Sequence, residues 1–170
     1  MRFRFLSVLA AGLLLGACAS TPEETQASSA TGSTTSGGGT VASTVVPGSQ
    51  EDLVQNVGDR VFFGLDKYDL TPEAQATLER QAAWLQQFPA VIVSVEGHAD
   101  ERGTREYNLA LGERRANSVK NYLAALGVDQ NRITTISYGK ERPAVPGSDE
   151  DAWAQNRRAV TVVTGGAPAS

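Results

Sequence analysis

The chain has 170 residues, enough for one domain of ordinary size, and its 41% hydrophobic and 20% charged residues are typical of a globular protein. The net charge is −4; Arg2 and Arg4 fall in a segment expected to be removed, which leaves the mature chain near −6 (−4 − 2) with no basic patch for nucleic acid. One cysteine and one histidine exclude both a disulfide framework and a zinc site built from protein ligands alone.

Residues 1–17 have the order of a secretory signal: Arg2 and Arg4, a short apolar run from Phe5 to Leu15, then the small residues Gly16 and Ala17. The run is shorter than the roughly 20 residues a spanning helix needs. Cys18 follows at once, and Leu15-Gly16-Ala17-Cys18 resembles the lipobox of bacterial lipoproteins. That resemblance implies cleavage before Cys18 and acylation on it. Several acyl chains anchor stably where one does not, at about 0.8 kcal/mol per buried methylene. Ala19 stands where an inner-membrane retention signal would place Asp, which favours the outer membrane.

Residues 19–50 are dominated by Ser, Thr, Gly and Ala, too poor in large apolar side chains to offset the entropy of ordering, so they read as a disordered linker. A flexible coil of that length spans roughly 30 Å on average. Stretched, it reaches on the order of 100 Å. The globular part is expected over residues 51–165, with a flexible tail at 166–170. Arg60-Val61-Phe62-Phe63 reads as a strand. Thr71-Pro72-Glu73 is a helix start, with a cap, a proline at the first position and an acid in the first turn. Leu78, Ala82, Leu85 and Phe88 carry the helical spacing to Pro89. Val91 to Val95 is a β-branched strand, Glu106 to Leu126 a helix ended by Gly127, Arg132 to Tyr138 a strand, Asp151 to Arg157 a short helix or turn, and Ala159 to Val163 a last strand. The order predicts an α/β two-layer sandwich: a mixed sheet with helices mainly on one face.

The long helix contains an anomaly. With Leu111 at zero on a helical wheel, Tyr122, Leu126 and Val119 fall at about 20°, 60° and 80°, and Arg115 falls among them at about 40°. Arg114 sits at the edge of the stripe. A cation facing a core is costly unless it is compensated. The turn after the preceding strand supplies Asp100 and Glu101, and ligands commonly bind beyond a strand's carboxyl end in open α/β sheets. Two arrangements are open. Asp100 could form an ion pair with Arg115. Alternatively, the two could clamp a zwitterion, Asp100 taking an ammonium and Arg115 a carboxylate through its planar fork.

Gly97-His98-Ala99-Asp100-Glu101-Arg102-Gly103-Thr104, followed by Tyr107-Asn108, Leu111, Arg115-Ala116 and Val119, resembles the OmpA-like peptidoglycan-binding domain. Asp66-Lys67-Tyr68-Asp69, the run Ile136 to Ala144, and Asn156-Arg157-Arg158-Ala159-Val160 extend the likeness to lipid-anchored members of that family, over about residues 57–164. The resemblance implies a β-α-β-α-β-β fold that binds the diaminopimelate of the stem peptide, with Asp100 at the ammonium and Arg115 at the carboxylate. It implies pocket positions at Phe63, Gly64, Asp66, Gly97, His98, Thr104, Asn108, Leu111, Asn156 and Arg157, the last as a residue that closes the pocket. Gly64 departs from the family's usual aspartate. If that carboxylate belongs to the rim, affinity falls unless Asp66 replaces it; if only its backbone does, nothing is lost. The implied partners are peptidoglycan, the outer membrane through Cys18, and a TolB-like β-propeller protein; no cofactor or metal is implied.

His98 reads as structural, since no Ser or Cys nucleophile accompanies it, and Glu96, Asp100 and Glu101 read as solvated acids. Trp84 is expected in the core and Trp153 in a charged loop that could meet a partner. The expectation is a non-enzymatic tether. The alternatives are a lipid-anchored peptidoglycan hydrolase and an OmpA-like scaffold for another envelope partner.

Overall fold

A computed structural model describes residues 45–167 of the chain. The expected signal segment, Cys18 and nearly all of the linker lie outside the described residues, as do the last three residues of the expected tail.

The described part opens with a single turn, α1 (Gln50–Asp52), capped by the Ser49 hydroxyl and continued as a π-helical turn over Leu53–Val57. Strand β1 (Arg60–Phe62) leads to helix α2 (Pro72–Gln87), where the Thr71 hydroxyl accepts from the Ala74 N–H and Pro72 fills the first position. Strand β2 (Ile92–His98) is followed by helix α3 (Arg105–Ala125), capped by Thr104 and ended by Gly127 at φ 95°. Strand β3 (Ile133–Gly139), helix α4 (Glu150–Asn156) and strand β4 (Arg158–Gly165) complete the chain. The sheet order is β1-β4-β2-β3, with β2 and β3 parallel and β4 antiparallel to both β1 and β2.

This is the expected α/β sandwich with one addition, α1 before the first strand; the short helix or turn expected over Asp151–Arg157 is helix α4. Helix α4 is only seven residues long. Its signal is the Asp149 cap, which accepts from the Ala152 N–H, and the acids Glu150 and Asp151 in its first turn.

The core lies between the sheet and helices α2 and α3. Val61, Val93, Val95, Ile133 and Ala159 from the strands meet Leu78, Ala82, Leu85, Ala116, Val119 and Leu123 from the helices. The opposite sheet face leaves Phe62, Ile92 and Ile136 exposed, as the alternation of strand side chains requires. Trp84 is buried as expected, and its indole N–H donates to Asp52.

One close approach sets the position of α3. Gly97 on β2 faces Gly112 on α3, and a Cβ on Gly97 would stand 1.8 Å from the Gly112 carbonyl oxygen. A Cβ on Gly112 would stand 2.3 Å from the Ser137 hydroxyl on β3. Only glycine allows backbones to come this near. The contact lowers α3 onto the carboxyl ends of β2 and β3. Arg115, one helical turn after Leu111, is thereby carried to the end of β2.

Candidate ligand-binding site

Arg115 is fully buried, and its guanidinium is held by main chain. Nε donates to the Lys67 carbonyl at 2.8 Å, Nη1 to the His98 carbonyl at 2.7 Å and Nη2 to the Gly64 carbonyl at 3.2 Å. Its Cζ lies 5.2 Å from the Phe63 ring centroid. Three of the five guanidinium N–H groups are used in this way. Burial and then the neighbouring Arg157 outweigh Asp100 and Asp66 and draw the Arg115 pKa down to about 10, so it remains a cation at neutral pH.

The Asp100–Arg115 ion pair is not formed. Asp100 is paired with Arg102, whose Nη2 lies 2.6 Å from its carboxylate, and with Arg157 at 3.5 Å. The reason is local. Arg102 is two residues from Asp100 and reaches it through backbone N–H, Nε and Nη2, whereas the carbonyls of Gly64, Lys67 and His98 direct the Arg115 fork elsewhere. Burial alone would raise the Asp100 carboxyl, but hydrogen bonds from Arg102 and Arg157 hold it below its ordinary value.

Asp100 and Arg115 nevertheless share a cavity of about 290 Å³, lined also by Leu65, Asp66, Ala99, Arg102, Gly103, Tyr107, Asn108 and Leu111. Of the positions implied by resemblance, Asp66, Asn108 and Leu111 stand on this wall. Asp66 adopts φ 58° and accepts from the Tyr107 hydroxyl. Asn108 is buried and donates to the Arg102 carbonyl, fixing the turn.

The other seven positions do not line the cavity; most of them build its support. Phe63 lies beneath the Arg115 guanidinium, Gly64 and His98 give it carbonyls, Gly97 seats α3, and Thr104 caps that helix. Asn156 pins the loop before α4 through Ala144 and Val145. Arg157 is no lid: it is buried and braced by the Phe63 carbonyl at 3.1 Å and by Glu150 at 2.7 Å. Leu65, Ala99, Arg102, Gly103 and Tyr107 are cavity residues that sequence reasoning missed. Arg102 sat in plain view beside Asp100 as a charged turn residue. Trp153 is half-buried on α4, donates to Glu101 at 3.1 Å and lies 4.0 Å beneath the Arg102 guanidinium.

The OmpA family model matches residues 62–157, which contain every cavity residue. A peptidoglycan-associated lipoprotein of Rhizobium meliloti is 56% identical over 124 residues, covering 73% of this chain and 70% of its own length. The Haemophilus influenzae peptidoglycan-associated lipoprotein is 47% identical over 156 residues, covering 91% and 94%. The chain belongs to the OmpA family, among its peptidoglycan-associated lipoproteins. The crystal structure of the peptidoglycan-associated lipoprotein from Burkholderia pseudomallei has the same fold, with a TM-score of 0.61 and 43% identity over 62% of this chain and 90% of that one. In this OmpA-family domain Gly64 contributes a carbonyl to Arg115, which any residue can supply, and Asp66 provides the carboxylate on the rim.

Among the described residues of the lipoprotein, no helix is long and apolar enough to cross a membrane, and no group of three or more His, Cys, Asp or Glu could hold a metal ion.

The His98 side chain, buried and uncharged at neutral pH, makes stability depend on pH. Its imidazole is 2% exposed, neither ring nitrogen has a hydrogen-bond partner, and the Glu96 carboxylate lies 3.8 Å from Nε2. Burial, then Arg158 and Arg142, push its pKa from 6.5 to about 4. The unfolded chain therefore binds a proton more readily than the fold. Stability should decline as pH falls from about 6.5 toward 4, by about 3 kcal/mol in total. Asp52 and Asp100 stay below the ordinary 3.8, so they do not contribute to this window above pH 5. Urea unfolding at pH 7 and pH 5 checks this: the wild type should lose stability on acidification, and His98→Phe should flatten the decline.

Proposed function

We propose that the cavity binds the free side-chain end of diaminopimelate in the peptidoglycan stem peptide. The observation that carries this reading is the pairing of opposite charges across one small cavity without a bond between them. Asp100 is 5% and Arg115 0% exposed, and both reach the same 290 Å³ space. The ligand end carries an ammonium and a carboxylate on one carbon. Asp100 suits the first and Arg115, with two N–H groups beyond its carbonyl bonds, the second. Burial on both sides makes each contact stronger than it would be in water.

Around that contact we place a tether. The segment 1–17 directs export, Cys18 carries lipid in the outer membrane, residues 19–50 span the gap, and the domain grips peptidoglycan without catalysing its hydrolysis. The match to peptidoglycan-associated lipoproteins supports this placement. It also supports a role in the Tol–Pal system in cell division and envelope integrity, with a TolB-like β-propeller as a second partner.

Asp100→Asn should leave the fold intact and reduce co-sedimentation with purified sacculi at least tenfold, since a hydrogen-bonded ionic contact is worth about 1.5–3 kcal/mol. Arg115→Lys keeps the charge but loses the fork, and should bind as poorly; undiminished binding by both variants would refute the site. Release of muropeptides during the same incubation would refute the non-enzymatic reading. Cys18→Ser should move the protein from the membrane fraction to the soluble fraction, and continued membrane association would remove the anchor from the scheme.

A further inference from the structure

Asp100 is already occupied. One carboxylate oxygen accepts from the Arg102 backbone N–H at 3.1 Å and from its Nε at 3.2 Å; the other accepts from Arg102 Nη2 at 2.6 Å and from Arg157 Nη1 at 3.5 Å. An ammonium entering the cavity would find no free oxygen on its counter-ion. One of the two arginines must yield, and their surroundings differ. Arg157 is 6% exposed and braced behind the wall by Phe63 and Glu150. The Arg102 side chain is 34% exposed, lines the cavity itself, and among the described residues its guanidinium has no hydrogen-bonded partner other than Asp100.

Arg102 also has somewhere to go. Its Cζ already stands 4.0 Å over the Trp153 ring, and its Nη1 is 3.9 Å from the Glu150 carboxylate. An arginine that leaves Asp100 would keep an aromatic face and an acid as compensation. Trp153 is held for this by its own bond to Glu101.

We propose that Arg102 is a resident substitute for the ligand's ammonium: it occupies Asp100 in the free protein and shifts onto Trp153 and Glu150 when an amine-bearing ligand enters. The exchange makes Arg102 a specificity-determining residue. A ligand with both an amine and a carboxylate replaces one cation by another, so the charge on Asp100 is balanced throughout. A ligand with a carboxylate alone leaves Arg102 in place and benefits from it, because the nearby negative charge stays masked.

The proposal rests on the diaminopimelate reading above and makes opposite predictions for two probes of the same carbon chain. In calorimetry on the full-length protein in detergent, Arg102→Ala should bind meso-diaminopimelate about three- to fivefold more tightly than wild type, the worth of one partly exposed ion pair. The same variant should bind pimelate, which lacks the amines, more weakly than wild type. Arg102→Gln keeps a side-chain donor for the turn and should follow the alanine variant; it decides the matter if the alanine variant is unstable. Unchanged or weaker diaminopimelate binding by Arg102→Gln would overturn the exchange while leaving the site itself intact. Failure of the wild type to bind diaminopimelate at all would overturn the site, and the exchange with it.

Discussion

A buried guanidinium bonded to three backbone carbonyls organises this domain. Arg115 sits in the middle of α3 and joins the loop after β1, through Gly64 and Lys67, to the end of β2, through His98. A cation in a core is normally stabilised by an acid. Here carbonyl dipoles take that part, so the charge is retained and two N–H groups stay uncommitted. The glycine contact between Gly97 and Gly112 makes the arrangement possible, because a Cβ on either residue would push α3 away from the strand ends. Packing and site are therefore one construction: the residues that seat the helix also position its arginine.

The second charge is treated differently. Asp100 is surrounded by cations and held ionised by them, while Arg115 faces it across the cavity without touching it. Separate compensation keeps the two charges from annihilating each other. His98 lies behind the same turn as an uncharged ring among arginines. The turn thus tolerates several cations beside its acids, and acidification adds a further positive charge on a buried ring whose arginine neighbours disfavour it.

Much of this is legible in the amino-acid sequence. The Thr71-Pro72-Glu73 start, Pro89, Gly127 and the β-branched run at Val91 are local signals, and the elements they predict begin and end within a few residues of the observed ones. Arg115 stood out because helical periodicity is also local. What failed was pairing. The wheel showed that Arg115 needs compensation but could not distinguish a carboxylate from carbonyls 48 and 51 residues away in sequence. Arg102 is not legible in this way, because a turn arginine next to an acid is usually solvated charge, whereas here it is partly buried in a cavity wall. Arg157, expected to close the pocket, is instead a buried brace, held by the Phe63 carbonyl just after β1 and by Glu150 on α4. Helix α4 was ambiguous for another reason: seven residues are too few for periodicity, so only its cap marked it.

The proposed site requires Arg115 to be a retained cation that faces the ligand. Nitrogen-15 NMR of the arginine side chains reports on it directly. Titrating the protein with meso-diaminopimelate should shift the Arg115 guanidinium resonances and protect its Nη protons from exchange, while the Lys67 and His98 carbonyl bonds persist. Saturable binding that leaves the Arg115 resonances unmoved would contradict the claim and place the ligand elsewhere.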